Sequence, residues 1–292
     1  MTLFLSQLLN GIHVGSIYAL IALGYTMVYG IVQLINFAHG DILMLSAYLV
    51  VVGITKLGLS PALSVLLSIV VAVVFGVILE RVAYRPLRSS PRISSLITAI
   101  GVSMLMQNVA QLIFSPNPIP YPITLSVPAL NLGGLYLSFT TLLTVVLSVG
   151  LMFLLQIFVS STKAGKAMRA VSEDTGTALL MGIHVNRIIS LTFAIGSGLA
   201  AIGSLLYCIA YPSVAPTLGS LPGIKAFIAA VLGGIGLIPG AMLGGFILGI
   251  AESLAKAYIS SRMSDAIVYG ILIIVLLFKP AGLLGTKTRE KV

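Results

Sequence analysis

The chain has no tryptophan, one cysteine and only seven acidic residues among its 292. A lone cysteine, Cys208, excludes an internal disulfide. It falls in an apolar run and is expected to pack there. Without tryptophan, any aromatic belt at a membrane interface must come from tyrosine. Charged residues make up 8% of the chain, against 58% hydrophobic, and the mean hydropathy is +1.14. A soluble domain of this length keeps a wet exterior, which so apolar a composition cannot supply. A lipid-facing exterior removes that demand. The bilayer core tolerates only backbone whose polar groups are satisfied internally, which leaves helices or closed barrels. Barrel strands alternate apolar and polar residues. The apolar runs here are long and continuous. The expected fold class is therefore an all-α membrane protein, a polytopic helical bundle of about eight to nine transmembrane segments with interrupted or re-entrant stretches.

Other absences bear on chemistry. No G-x-x-x-x-G-K-[ST] string is present: Gly165-Lys166 runs into Ala167, and Gly285-Thr286-Lys287 has the wrong order. If nucleotide drives this protein, another chain binds it. His13, His39 and His184 are far apart and have no metal-binding neighbours in sequence, so neither a metal site nor a cofactor is expected. Nothing pairs a serine or cysteine with an oriented base, so no catalytic residue is assigned. The first positive charge is Lys56, so the opening apolar stretch lacks a basic leader region and reads as a retained helix.

A span needs about 20 apolar residues. Candidate spans are Leu5–Gly30, Asp41–Thr55, Ala62–Ala83, Ile93–Phe114, Ser138–Ser160, Ile188–Ala210, Ile224–Ile235, Gly240–Ser260 and Asp265–Phe278. The second, seventh and ninth are short; they are expected to tilt, borrow flanking residues or stop short of crossing.

The net charge of +9 raises nucleic acid as a partner, or else marks cytoplasmic loops. Its distribution decides. Arg81, Arg85, Arg88 and Arg92 follow the third span. Lys163, Lys166, Arg169 and Arg187 lie between the fifth and sixth, and Lys279, Lys287, Arg289 and Lys291 form the tail. Ser115–Leu137 and Tyr211–Gly223 carry none. Positive charge stays inside, so the first three regions are expected in the cytoplasm and the last two outside. Nine crossings would put the N-terminus outside and the C-terminus inside; no nucleic acid is expected. The Pro-rich run Asn117–Pro122 cannot be helical and reads as extended chain, either a stiff connector or a docking strip.

Two stretches break the apolar pattern with Gly and Pro: Asn36–Asp41 and Gly233–Gly240. Irregular backbone at membrane depth survives only if buried in protein or lining a cavity. Paired interruptions point to a translocation path, with Asn36, His39, Gly40, Gly234 and Gly236 as candidates; tight turns between hairpin helices are the plainer alternative. Gly244, Gly245 and Gly249, and Gly196, Gly198 and Gly203, read most simply as close helix packing. Within the spans, Glu252 and Lys256 are four apart and can neutralise each other on one helix face, the alternative being an ion relay. Glu80 lies near a span end.

The segment Lys163–Arg187 reads KAGKAMRAVSEDTGTALLMGIHVNR. Ser172 is expected to cap a short helix, with Glu173 and Asp174 at its positive end. Thr175–Met181 gives two turns ending in Leu179, Leu180 and Met181, and Gly182 stops them. Such an element either lies on the membrane or inserts into a partner's groove. Its acidic start argues against an anionic leaflet.

This segment looks like the coupling loop of ABC importer permeases. Gly15–Gly24, Ile35–Asp41, Glu80–Arg88 and Pro280–Gly285 are similar to the branched-chain amino acid permease family, in particular its LivH-type subunits. The resemblance runs over essentially the whole chain. It implies a single transmembrane permease domain over 1–292 with a cytoplasmic coupling segment at about 161–187. It implies cytoplasmic ATP-binding subunits, a second related permease subunit, an extracytoplasmic solute-binding protein and residence in the bacterial cytoplasmic (inner) membrane. Ser172, Glu173, Asp174, Leu179 and Gly182 would then belong to ATPase coupling. Permeases for urea or short amides are similar, so the substrate stays open. An ion-coupled transporter relying on Glu252 and a passive channel are the rival readings.

Overall fold

In the computed structural model, residues 2–88, 90–124, 130–132 and 135–285 are described. The tail charges Lys287, Arg289 and Lys291 lie outside them, as does the side chain of Arg92. Eleven α-helices are present among the described residues: α1 (Thr2–Val32), α2 (His39–Thr55), α3 (Pro61–Leu79), α4 (Arg92–Phe114), α5 (Phe139–Ser161), α6 (Lys163–Glu173), α7 (Thr175–Leu180), α8 (Val185–Ala210), α9 (Ser220–Gly233), α10 (Ile238–Tyr258) and α11 (Ser264–Phe278). Four strands of two or three residues complete them: β1 (Ile119–Pro120), β2 (Leu130–Leu132), β3 (Leu135–Leu137) and β4 (Ser213–Val214). The protein is thus an all-α polytopic membrane protein. Among the described residues, six helices are long and apolar enough to cross a bilayer. The shorter apolar three are α2, α9 and α11, the same three that hydropathy marks as short. The 14 residues of α9 rise only about 21 Å, against about 30 Å of hydrocarbon.

Contacts along the chain fall into two compact units. One contains 27–126 and 155–224. Its centre is α2, α3 and α8, packed against one another. Helix α3 shows why. Leu63, Leu66, Val70, Val74 and Ile78, spaced three or four apart, are all exposed, while Ser64, Ser68, Ala72 and Gly76 on the opposite face are buried. Large residues face lipid and small ones face protein, the reverse of a soluble helix. The small face admits close neighbours: a Cβ on Gly53 of α2 would come within 2.7 Å of Ser64 Oγ. Beyond Leu79 the chain widens into one π-helical stretch, Glu80–Tyr84, and a 3₁₀ turn, Arg85–Leu87. At one end β1 pairs antiparallel with β4, Ile119 opposite Val214. The two charge-free loops therefore meet. Tyr48, Tyr121, Cys208 and Val214 form the apolar cluster beside this ladder, and Tyr48 stacks on Phe114 at 4.2 Å.

The other unit contains 1–26, 127–154 and 225–292. Its packing is set by glycine. Gly11 and Gly15 of α1, four apart, face Gly249 and Gly245 of α10, also four apart. Backbones at such spacing approach without side chains between them. A Cβ on Gly15 would sit 2.8 Å from Gly245 O. Polar pairs add to it: Ser148 Oγ donates to Ser16 O at 2.9 Å, and His13 lies 3.0 Å from Thr141 Oγ1.

Candidate functional site

The segment expected to couple contains two helices before α8, α6 and α7, not one. Thr162 caps α6, accepting from Gly165 N at 2.9 Å, and Met168 and Val171 bury its apolar face. That burial carries α6 through to Glu173, past the expected start of the second helix. Ser172 is accordingly no cap: its hydroxyl donates backwards to Arg169 O at 2.7 Å. Asp174 does the capping of α7. Its Oδ1 accepts from Gly176 N at 2.7 Å and Thr177 N at 3.0 Å, and Oδ2 from the Thr177 hydroxyl at 3.1 Å. The hydrogen bonds from Thr177, then that from Gly176, hold its carboxyl below the ordinary aspartate value. Glu173 is exposed as the last residue of α6.

Helix α7 ends as the sequence indicates. Gly182 takes φ +81°, and its N–H donates to Leu179 O at 3.0 Å. Ala178 is buried, whereas Leu179, Leu180 and Met181 are 63%, 88% and 78% exposed. Three apolar side chains in a row thus stand outward from a capped, glycine-stopped turn beside basic α6.

The first interrupted stretch lies in the larger unit. Asn36, His39 and Gly40 are all buried. Asn36 Oδ1 accepts from the Tyr84 hydroxyl at 2.7 Å, which ties the break to the π-helical turn after α3; Asn36 Nδ2 has no hydrogen-bond partner among the described residues. Gly40 touches the backbone of Gly219, just ahead of α9. Next to it, sequence reading passed over Asp41. This buried carboxylate accepts from Gln107 Nε2 at 2.9 Å, and Gln107 also reaches Ser103 and Ser220. No cation pairs with Asp41 among the described residues.

The second interruption lies in the smaller unit. Gly234 and Gly236 take φ +112° and +94°, conformations open to glycine at little cost. Gly234 is buried against the Gly282–Gly285 segment, while Gly236 is exposed. Gly233 and Gly240 meet backbone to backbone across the turn.

The Glu252–Lys256 pair exists, at 2.6 Å, but it is part of a larger network. Lys225 Nζ lies 2.8 Å from Glu252 and 2.8 Å from Asp265, and 5.8 Å over the Tyr18 ring. Two acids thus balance two lysines. Sequence reading missed Lys225 and Asp265, because their partners lie on other helices. Among the described residues no group of three or more His, Cys, Asp or Glu is arranged to hold a metal.

Apolar spans, an outward apolar knob and an ion-paired network between spans are features of a membrane transport subunit. The chain belongs to the family described as the branched-chain amino acid transport system permease component, which matches residues 7–276. It is 45% identical over 303 residues to the high-affinity branched-chain amino acid transport system permease protein BraD of Pseudomonas aeruginosa, covering 99% of this chain and 98% of that protein. With the LivH permease proteins of the same description from Escherichia coli and Salmonella typhimurium the identities are 44% and 43%, with the same coverage. No solved structure gives a significant match.

Proposed function

We propose that this chain is one of two permease subunits of an ATP-driven importer of branched-chain amino acids in the bacterial cytoplasmic membrane. The observation that carries this reading is identity of 43–45% over nearly the whole length to permeases named for that transport. Its partners are cytoplasmic ATP-binding subunits, a second related permease and an extracytoplasmic solute-binding protein. The C-terminus is cytoplasmic. The exposed end of α7 is the element that engages an ATPase. Leu179, Leu180 and Met181 enter a groove on that subunit, Glu173 and Asp174 flank the contact, and Gly182 fixes its end. ATP-driven closure draws these elements together and tilts the attached spans, giving alternating access. Asn36, His39, Gly40, Gly234 and Gly236 mark the translocation path, where irregular backbone supplies polar groups at membrane depth.

The test is reconstitution with the three kinds of partner in vesicles and measurement of ATP-dependent uptake of labelled leucine. Uptake is expected only with all of them present. Leu180→Asp and Glu173→Arg are expected to release the ATPase on purification while leaving the chain folded, since both side chains are exposed. Leucine uptake driven by an ion gradient without ATPase, or variants that retain the ATPase in full, would sink the reading.

A further inference from the structure

A second feature lies where the end of α3 meets the start of α8, just past α7 in the chain. A cleft of about 370 Å³ is lined by Val77, Arg81 and Arg85 from α3 and its extension, and by Asn186, Arg187, Ser190, Leu191 and Ala194 from α8. The three arginines are exposed. Among the described residues none pairs with a carboxylate. The nearby acid is already used: buried Glu80 is paired with Arg88, and its Oε2 accepts from Ser190 at 2.6 Å. Arg88 also donates to Asn186 at 2.6 Å. The cleft therefore presents uncompensated cations beside a neutralised pair.

The walls differ from the rim. Val77, Leu191 and Ala194 belong to membrane spans, and from Arg187 to Ala194 the apolar wall descends about 10 Å along α8. A soluble subunit cannot follow the groove to that depth. A cationic rim over an apolar slot between two spans matches a molecule with an anionic head and a hydrocarbon tail. From this geometry we infer that the α3–α8 cleft is a binding site for an anionic phospholipid, its phosphate held by Arg81, Arg85 and Arg187 and an acyl chain laid along Val77, Leu191 and Ala194. The guanidinium fork suits phosphate better than an ammonium does, and relief of repulsion among the three cations favours occupancy.

The test uses the full-length chain, with any subunits that remain bound, purified in neutral detergent and stripped of lipid. Phosphatidylglycerol, phosphatidylcholine and inorganic phosphate are added separately; bound lipid is counted by native mass spectrometry and thermal unfolding is followed. Phosphatidylglycerol is expected to remain bound and to raise the melting temperature, with phosphatidylcholine and inorganic phosphate doing neither. Each arginine replaced by glutamine is expected to weaken retention roughly fivefold, and lysine replacements are expected to recover most of it. Should the triple Arg81→Gln, Arg85→Gln, Arg187→Gln variant not fold, the three single variants are read in the same way. Equal retention of phosphatidylcholine, or anionic lipid retained undiminished by the glutamine variants, overturns the proposal. Stabilisation by inorganic phosphate equal to that by the lipid overturns it too, because the cleft would then be a site for a free anion.

Discussion

Lys225 on α9 and Glu252 on α10 are joined by a 2.8 Å ion pair, with both side chains almost wholly buried. They lie 27 positions apart, so the bond staples a short helix to a long one. α9 has too few residues to anchor itself across the bilayer, and a paired charge compensates for that. Replacing Lys225 with Met leaves Glu252 with Lys256 alone and Asp265 without its cation. Removing one partner from a buried pair costs about 3–5 kcal/mol. The surviving Lys256 contact should hold the loss to about 2 kcal/mol. Thermal unfolding in detergent reads it, and adding Glu252→Gln to Lys225→Met is expected to recover part of the stability.

Much of this architecture is legible in the sequence, because hydropathy alone sets where a bilayer helix begins and ends. All nine apolar segments appear as helices within a few residues of expectation, and the three short ones are short for the reason hydropathy indicates. Local signals also locate the stop of α7 at Gly182, since positive φ there is a matter of one residue's chemistry. What escapes is whatever a distant helix decides. Ser172 and Asp174 are both good caps, and burial of Met168 and Val171, which no local rule reports, hands the role to Asp174. Lys225 and Asp265 gain meaning only when three helices meet, and the pairing of Asn36 with Tyr84 only when a π-helical turn brings them together. Asp41 stands out only once its burial is seen.

The crossing of α1 and α10 gives a sharp comparison between glycines. A methyl group on Gly15 would lie 2.8 Å from Gly245 O and 2.9 Å from Phe246 Cα, both backbone atoms that cannot turn aside. Gly15→Ala is expected to cost about 1–3 kcal/mol through overpacking. Gly150 in α5 has nothing within 4 Å of the same position, so Gly150→Ala should be neutral or gain up to about 1 kcal/mol from helix propensity. Melting temperatures of the two variants, measured side by side, should move apart. A matched loss in both would mean that packing does not set this crossing.

The Asp174 cap carries a pH dependence with a definite sign. Its folded carboxyl titrates below the ordinary aspartate value, because Thr177 and Gly176 donate to the ionised form. A depressed pKa gives stability that is fully present above the unfolded value and is lost as pH falls through the folded one. The start of α7 should therefore stay intact from neutral pH down to the ordinary aspartate range and fray only below it. Exchange protection of the Gly176 and Thr177 amides, followed against pH in wild type and Asp174→Asn, measures this. The variant should be less protected at neutral pH and show no acid step. An acid step of equal size in both would assign the transition to another group.

Asp41 offers the strictest separation of transport from folding. A buried acid without a cation is expensive inside a membrane and is kept for function by default. Its carboxylate accepts from Gln107, and in an Asp41→Asn variant the side-chain amide oxygen can accept the same bond. Size and hydrogen bonding are thus conserved while the charge is removed. If Asp41 only holds α2 against α4, the variant transports normally. If its charge belongs to the path beside Asn36, His39 and Gly40, uptake of leucine falls by about tenfold or more, the scale of one lost charged interaction, with little change in melting temperature. The second outcome is expected, because Gln107, Ser103 and Ser220 already satisfy packing and polarity without needing a negative charge at their centre. Uptake and unfolding measured on the same preparation distinguish the two: uptake that is unchanged, or that falls only in step with the melting temperature, would return Asp41 to a structural role.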